Sequence, residues 1–83
     1  MTRDQIIKIA SLCGVSSECT YTANEGEAEC VSAFVFGVDT IEQAKDLFES
    51  FGEDNCMIVF RTAVFPEMIN VNLDVSGWNI PAE

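Results

Sequence analysis

The sequence predicts an α+β fold in the order α-β-β-α-β-β, with a mostly antiparallel four-stranded sheet packed with two helices. Two segments carry apolar residues at helical spacing, and each is followed by β-rich runs separated by turn residues. The chain has 83 residues, of which 48% are apolar. This length suits a single domain over residues 1–83. The pattern leaves the order of the strands within the sheet open.

The first helix is predicted to begin after Thr2, with Gln5 as the reciprocal partner of a capping box. Gly14 stands where such a helix would end. Its apolar face is expected to comprise Ile6, Ile7, Ile9, Ala10, Leu12 and Cys13.

A hairpin is predicted in "ECTYTANEGEAECVSAFVFGV", where two β-rich runs flank the polar tip "NEGE". A register that places Ala23 opposite Ala28 also places Tyr21 opposite Cys30. On that register one face is expected to form the core, and it would carry Cys19, Tyr21, Cys30, Phe34 and Phe36.

The second helix is predicted to have Asp39 as its N-cap, in preference to Thr40, because Glu42 then occupies the third helical position. Gly52 is expected to end it. Its buried stripe is expected to comprise Ile41, Ala44, Leu47, Phe48 and Phe51.

Two further strands are predicted after this helix. The run "CMIVFRTAVF" is apolar on both faces through Phe60, which is typical of a central strand. The run "INVNLDVSGW" alternates, which indicates a half-exposed final strand whose edge could pair with another sheet. Its outward side chains are expected to be Asn70, Asn72, Asp74 and Ser76.

The charge balance excludes some classes of partner. Fourteen Asp and Glu against four Lys and Arg give a formal net charge of -10. Such a surface repels nucleic acid and anionic lipid and attracts a basic surface, so we expect neither direct nucleic-acid binding nor membrane binding. The segment "MTRDQIIKIASLCG" has no apolar run longer than two residues, which favours a cytoplasmic location.

Catalysis is not expected. Histidine is absent, and no nucleophile-elbow, P-loop or dinucleotide-binding motif is present. No cofactor is expected either. Because a cytoplasmic location is expected, the four cysteines are expected to be reduced thiols; they are Cys13, Cys19, Cys30 and Cys56. They contain no C-x-x-C pair and no histidine accompanies them, so a metal site is not expected.

A row of acidic residues is the main candidate binding feature. Four acids in "DTIEQAKDLFESFGED" follow one another at spacings of four, three and four, which places them on one side of a helix over about 16 Å. Their separation of about 5 to 6 Å is close to that of successive phosphates on a nucleic-acid strand. The hairpin tip adds three acids, and Trp78 is a candidate interface anchor. The candidate partner-binding residues are therefore Glu42, Asp46, Glu49, Glu53, Glu25, Glu27, Glu29 and Trp78.

Both parts of this surface have ordinary structural interpretations. The acidic row is also compatible with the solvated face of an amphipathic helix, and the overall acidity with a charge that keeps the protein soluble. Trp78 is compatible with a residue that folds back to close the core.

In size, acidity, lack of catalytic residues and α+β layout, the chain resembles small acidic inhibitors encoded by bacteriophages and mobile elements. These include anti-CRISPR proteins and DNA-mimicking inhibitors of uracil-DNA glycosylase. The acidic residues that suggest this resemblance lie in the segments "IEQAKDLFESFGED" and "NEGEAE". The resemblance implies binding to a basic nucleic-acid-binding protein, such as a nuclease, a glycosylase or a CRISPR effector, and occlusion of its DNA or RNA site.

A second class of function is a structural or interaction module, either a homodimer or an adaptor subunit. It would associate through the last strand and Trp78, and that interface should tolerate salt.

Overall fold

The computed structural model describes residues 1–25 and 28–82. The predicted α+β class and the order α-β-β-α-β-β are confirmed, and a short fifth strand follows. The helices are α1 (Arg3–Leu12) and α2 (Ile41–Phe51), and the strands are β1 (Ser17–Glu25), β2 (Ala28–Val38), β3 (Cys56–Val59), β4 (Ile69–Asp74) and β5 (Ile80–Pro81). No described helix is long and apolar enough to cross a membrane.

The sheet is antiparallel in the order β1-β2-β4-β3, and β5 pairs with β2 beyond the end of β4. The expectation that "CMIVFRTAVF" forms the central strand is therefore wrong. Only Cys56–Val59 form a strand there, at the sheet edge, and Phe60 is 64% exposed. The run "INVNLDVSGW" instead supplies β4, which is paired on both sides and has no free edge. The apolar β3 is half-buried or exposed, whereas Val71 and Leu73 of the alternating β4 are fully buried, so apolar content did not distinguish the edge from the centre.

Helix α1 begins with the predicted capping box. Thr2 Oγ1 accepts a hydrogen bond from the Gln5 backbone N–H at 3.2 Å, and the Thr2 backbone N–H donates to Gln5 Oε1 at 2.8 Å. Ile6 and Ala10 are buried, as expected. Leu12 is 82% exposed, which contradicts its expected place in the apolar face. At about 100° per residue it falls on the side of the helix away from Ile6 and Ala10.

The β1–β2 hairpin has a register other than the expected one. Ala23 pairs with Cys30 rather than with Ala28, and Tyr21 pairs with Ala33. A bulge lies between the Tyr21 and Thr22 pairs, where Ser32 is the extra residue of β2. Ser32 Oγ donates to the Tyr21 carbonyl oxygen at 3.1 Å, and the Ser32 carbonyl oxygen accepts from the Val75 N–H at 3.0 Å.

This register changes which side chains share a face. Phe34 and Phe36 lie on the face covered by both helices, whereas Cys19 and Tyr21 pair with residues of the opposite, outer face. The expectation that all five side chains share one face is therefore wrong; the five are Cys19, Tyr21, Cys30, Phe34 and Phe36. The core cluster consists of Ile6, Ala10, Val31, Phe34, Phe36, Val38, Ala44, Leu47, Phe51, Val71, Leu73, Val75 and Ile80.

Helix α2 is capped by Thr40, and the preference for Asp39 was wrong. Thr40 Oγ1 accepts from the Gln43 N–H at 3.3 Å, while Gln43 Oε1 accepts from the N–H groups of Thr40 and Asp39 at 3.1 and 2.9 Å. Gln43 can form these hydrogen bonds because it occupies the third helical position. The helix ends as predicted at Gly52, whose φ of 93° lies in the region that favours glycine. Asp39 instead accepts a hydrogen bond from Ser16 Oγ at 2.9 Å.

Part of the outer face is covered by the loop between β3 and β4. The loop residues Phe65 and Met68 lie directly over Gly37, where an added Cβ would be 2.7 Å from Met68 Sδ. The side chain of Asn70 lies on the outer face, as expected. It is nevertheless fully buried, because this loop covers it. Its Nδ2 donates to the carbonyl oxygens of Phe65 and Met68 at 2.9 and 3.0 Å. The alternation of apolar and polar residues within a strand does not show whether a loop covers its outer face.

Candidate functional site

Helix α2 presents three acidic side chains to solvent. Ala44, Leu47 and Phe51 are buried against the sheet on one side of the helix. Glu42, Asp46 and Glu49 lie on the other side, and all three are exposed. Glu42 and Glu49 are separated by about 10 Å along the axis, at roughly 1.5 Å per residue. The expected exposure of these three acids on one helix face is confirmed.

Glu53 does not belong to this helix, so the predicted four-residue helical stripe is wrong. The helix ends at Phe51, and Glu53 begins a separate turn, Glu53–Asn55. The positive φ of Gly52 redirects the chain between them. Glu53 and Asp54 are both exposed in this turn.

We define the α2 acidic surface as the exposed acids of the helix and of the turn that follows it. Asp54 was missed by the sequence analysis because it falls outside the four-three-four spacing, although "GED" places two acids together. Lys45 is the basic residue of this helix and is also exposed. It lies three residues after Glu42 and four before Glu49, within reach of both, so it offsets part of the charge. The members of the surface are Glu42, Asp46, Glu49, Glu53 and Asp54.

Of the predicted hairpin acids, Glu29 has a described side chain, and it lies on β2 rather than on α2. Glu29 is exposed near the start of β2, whereas α2 begins just after the end of that strand at Val38. Nine residues of extended chain separate these points by about 30 Å. Glu25 pairs through its backbone with Ala28, and Glu27 lies outside the described residues. Glu29 is therefore carried by a different element from the α2 acidic surface and lies well away from the first turn of α2.

Trp78 packs against the core. It is half-buried in the turn Ser76–Trp78, and its backbone N–H donates to the Val75 carbonyl oxygen at 2.9 Å. This placement matches the alternative interpretation, in which Trp78 closes the core. The strand predicted from "INVNLDVSGW" is β4, and because it lies between β2 and β3 it has no free edge for the interaction module expected there.

Among the residues that the structure describes, two groups have a shifted pKa, and each shift has a local cause. Burial raises the pKa of the Cys56 thiol to about 11. Hydrogen bonds from the Ser76 backbone N–H and hydroxyl, at 2.9 and 2.7 Å, lower the pKa of Asp74. Within residues 1–25 and 28–82, no group of three or more His, Cys, Asp or Glu side chains is placed to hold a metal ion.

A recess of about 830 Å³ lies between the end of β2 and the β3–β4 loop. It is an open groove, and its charged lining residues are Asp39, Arg61 and Glu67. These three groups are exposed. An open, solvated groove lacks the enclosure that a small-molecule site normally has.

No family model, curated protein or solved structure matches this chain. The function is therefore inferred from the surface.

Proposed function

We propose that this chain is a non-catalytic acidic protein that inhibits a nucleic-acid-handling protein by occluding its basic DNA- or RNA-binding site. This is the mode of action of DNA mimics and of some anti-CRISPR proteins. The observation that carries the proposal is the exposure of Glu42, Asp46 and Glu49 on one face of a helix whose opposite face is buried in the core.

The rigidity of α2 supports this role. A capping box holds its first turn, and the Phe51 ring stacks on Phe36 of the sheet with centroids 6.1 Å apart. The carboxylates are therefore carried by a backbone that is already ordered before binding. Preorganisation of this kind reduces the conformational entropy lost when a partner binds.

The overall charge supports the choice of partner. With a net charge of -10, the protein attracts a basic cleft over a distance of several ångströms and speeds the encounter at low salt. The preferred target is a protein whose cleft is lined by Lys and Arg for phosphate binding, such as a nuclease, a glycosylase or a CRISPR effector. Such a target would act in the cytoplasm.

The first experiment is an affinity pulldown from cell lysate at low and at high salt, with and without added DNA, followed by mass spectrometry. We expect capture of a nucleic-acid-binding protein at low salt and its release by salt or DNA. Salt-resistant capture of a protein unrelated to nucleic acid would contradict the proposal.

Matched charge variants then test whether the helix is the binding surface. The double variant Asp46→Asn with Glu49→Gln removes two charges from the α2 acidic surface. Asp4→Asn with Glu67→Gln removes two exposed charges elsewhere. We expect the α2 variant to weaken binding to the captured target at least about tenfold, and the control to weaken it much less. Equal losses would show that only net charge matters, and no loss from the α2 variant would reject this surface.

A further inference from the structure

The free edge of β1 is the longest unpaired strand edge in the described part of the fold. β1 has nine residues and is an edge strand of the sheet. It pairs with β2 on one side, and its other side forms the edge. At about 3.4 Å per residue it is roughly 30 Å long. The opposite edge strand, β3, has only four residues. A long edge of unpaired N–H and C=O groups is a template for a further strand.

The two faces of β1 differ in chemistry. Glu18 and Thr20 pair with Phe36 and Phe34 and so lie on the helix-covered face, where Glu18 is exposed. Cys19 and Tyr21 pair with Val35 and Ala33 and lie on the outer face, where Tyr21 is 46% exposed. A strand added at this edge would therefore meet a carboxylate and hydroxyls on one side and an apolar surface on the other.

The polar side of this edge continues into a recess of about 420 Å³. Thr20, Thr22 and Glu29 line it together with Arg3. The Arg3 guanidinium donates to the Ala82 carbonyl oxygen at 2.9 Å, so it holds the C-terminal segment beside the recess. Glu18 lies near the start of β1, and Glu29 lies on the neighbouring strand β2, where it pairs with Asn24 near the other end of β1.

We infer that the free edge of β1 binds an extended basic segment of the partner protein, which adds to the sheet as a strand. Its Lys or Arg side chains lie toward Glu18 and Glu29, and its alternate apolar side chains lie against Tyr21. This inference rests on the proposed function, since it takes the partner to be basic. It assigns to that partner a second contact away from the α2 acidic surface.

The acidity of this chain favours a basic segment of a partner over a second copy of this chain as the added strand. Two copies each carrying a net charge of -10 repel one another. Within β1 itself, "SECTYTANE" contains two glutamates and no basic residue, so a second β1 supplies no counter-charge for Glu18. A Lys- or Arg-bearing strand supplies that counter-charge and the backbone hydrogen bonds together.

The probe is a blocked peptide of alternating lysine and valine, about seven residues long, a length that matches most of β1. Its control is the same peptide with N-methyl groups on alternate residues, which keeps the charge and removes the strand-pairing N–H groups. Hydrogen exchange followed by NMR reports each β1 amide separately. We expect the first peptide to slow exchange at alternate β1 amides, and the N-methyl peptide to bind at least about tenfold more weakly, a loss of 1.4 kcal/mol.

Two charge reversals locate the site. Glu18→Lys changes the β1 edge, and Glu49→Lys makes the same charge change on α2. We expect Glu18→Lys to weaken peptide binding more than Glu49→Lys. Glu18→Gln, which keeps the size of the side chain, should weaken it in the same direction.

Three results would overturn the inference. They are equal binding of both peptides, a larger effect of Glu49→Lys than of Glu18→Lys, and protection of β1 amides by self-association without peptide. None of them depends on the lysate capture, so failure of the strand-addition site and failure of the proposed inhibitory function can be told apart.

Discussion

Thr62 Oγ1 donates a hydrogen bond to Asn70 Oδ1 at 3.1 Å, and this contact connects the β3–β4 loop to β4, an interior strand of the sheet. The same Thr62 oxygen accepts from the N–H groups of Val64 and Phe65, both at 3.1 Å. Asn70 is 0% exposed, and its side-chain Oδ1 and Nδ2 both form hydrogen bonds. This network holds the loop over Gly37 and covers part of the outer face.

Replacing Asn70 should therefore be costly. We expect Asn70→Ala to lower the free energy of unfolding by about 2–4 kcal/mol, because it leaves the Phe65 and Met68 carbonyl oxygens unpaired and opens space beneath the loop. Chemical denaturation would measure this. Asn72→Ala is the matched control on the same strand, since Asn72 Oδ1 is buried and has no hydrogen-bond partner among the described residues. A loss from Asn72→Ala as large as that from Asn70→Ala would contradict the importance of the network.

The N-cap of α2 provides a second test. Thr40→Ala removes the side-chain acceptor for the Gln43 N–H and should cost about 1 kcal/mol, which corresponds to roughly 4–8 °C in Tm for a domain of this size. Asp39→Ala removes an exposed contact with Ser16 and should cost less. Thermal unfolding of both variants makes the comparison, and a greater loss from Asp39→Ala would restore Asp39 as the principal cap.

The hydrogen bonds of Asp74 to Ser76 predict a pH dependence. Because the folded-state pKa of Asp74 is lowered, its ionised form stabilises the fold above the ordinary value of 3.8, and the stabilisation is lost as the pH falls through the lower folded-state pKa. We expect Asp74→Ala to be less stable than the wild type near neutral pH, with the difference shrinking in acid. Urea denaturation across this range would show it. Ser76→Ala removes only the hydroxyl contact and should give a smaller change, and a pH-independent difference for Asp74→Ala would refute the linkage.

The Cys56 thiol should react slowly with alkylating reagents in the folded protein. Only the thiolate is nucleophilic, and burial raises the pKa of Cys56 from 9.0 to about 11. Near pH 8 this reduces the thiolate fraction about a hundredfold relative to the unfolded chain. Iodoacetamide labelling followed by peptide mass spectrometry, with and without denaturant, measures the ratio. Equal labelling rates in the two states would show that burial does not protect this thiol.

Several features could be predicted because they depend on neighbours in the chain. The capping box of Thr2 and Gln5, the end of α2 at Gly52, and the outward direction of Glu42, Asp46 and Glu49 follow from helical periodicity and short-range hydrogen bonding. The order of helices and strands follows in the same way from local hydrophobic periods and turn residues.

Other features required contacts between distant segments. The central place of β4, the bulge at Ser32 and the burial of Asn70 depend on which strands pair and on a loop that folds back over the sheet. A single extra residue in β2 moves Tyr21 and Phe34 to opposite faces, although their spacing in the sequence is unchanged. Periodicity specifies which way a side chain points within its own element, whereas strand pairing and loop packing decide what lies opposite it.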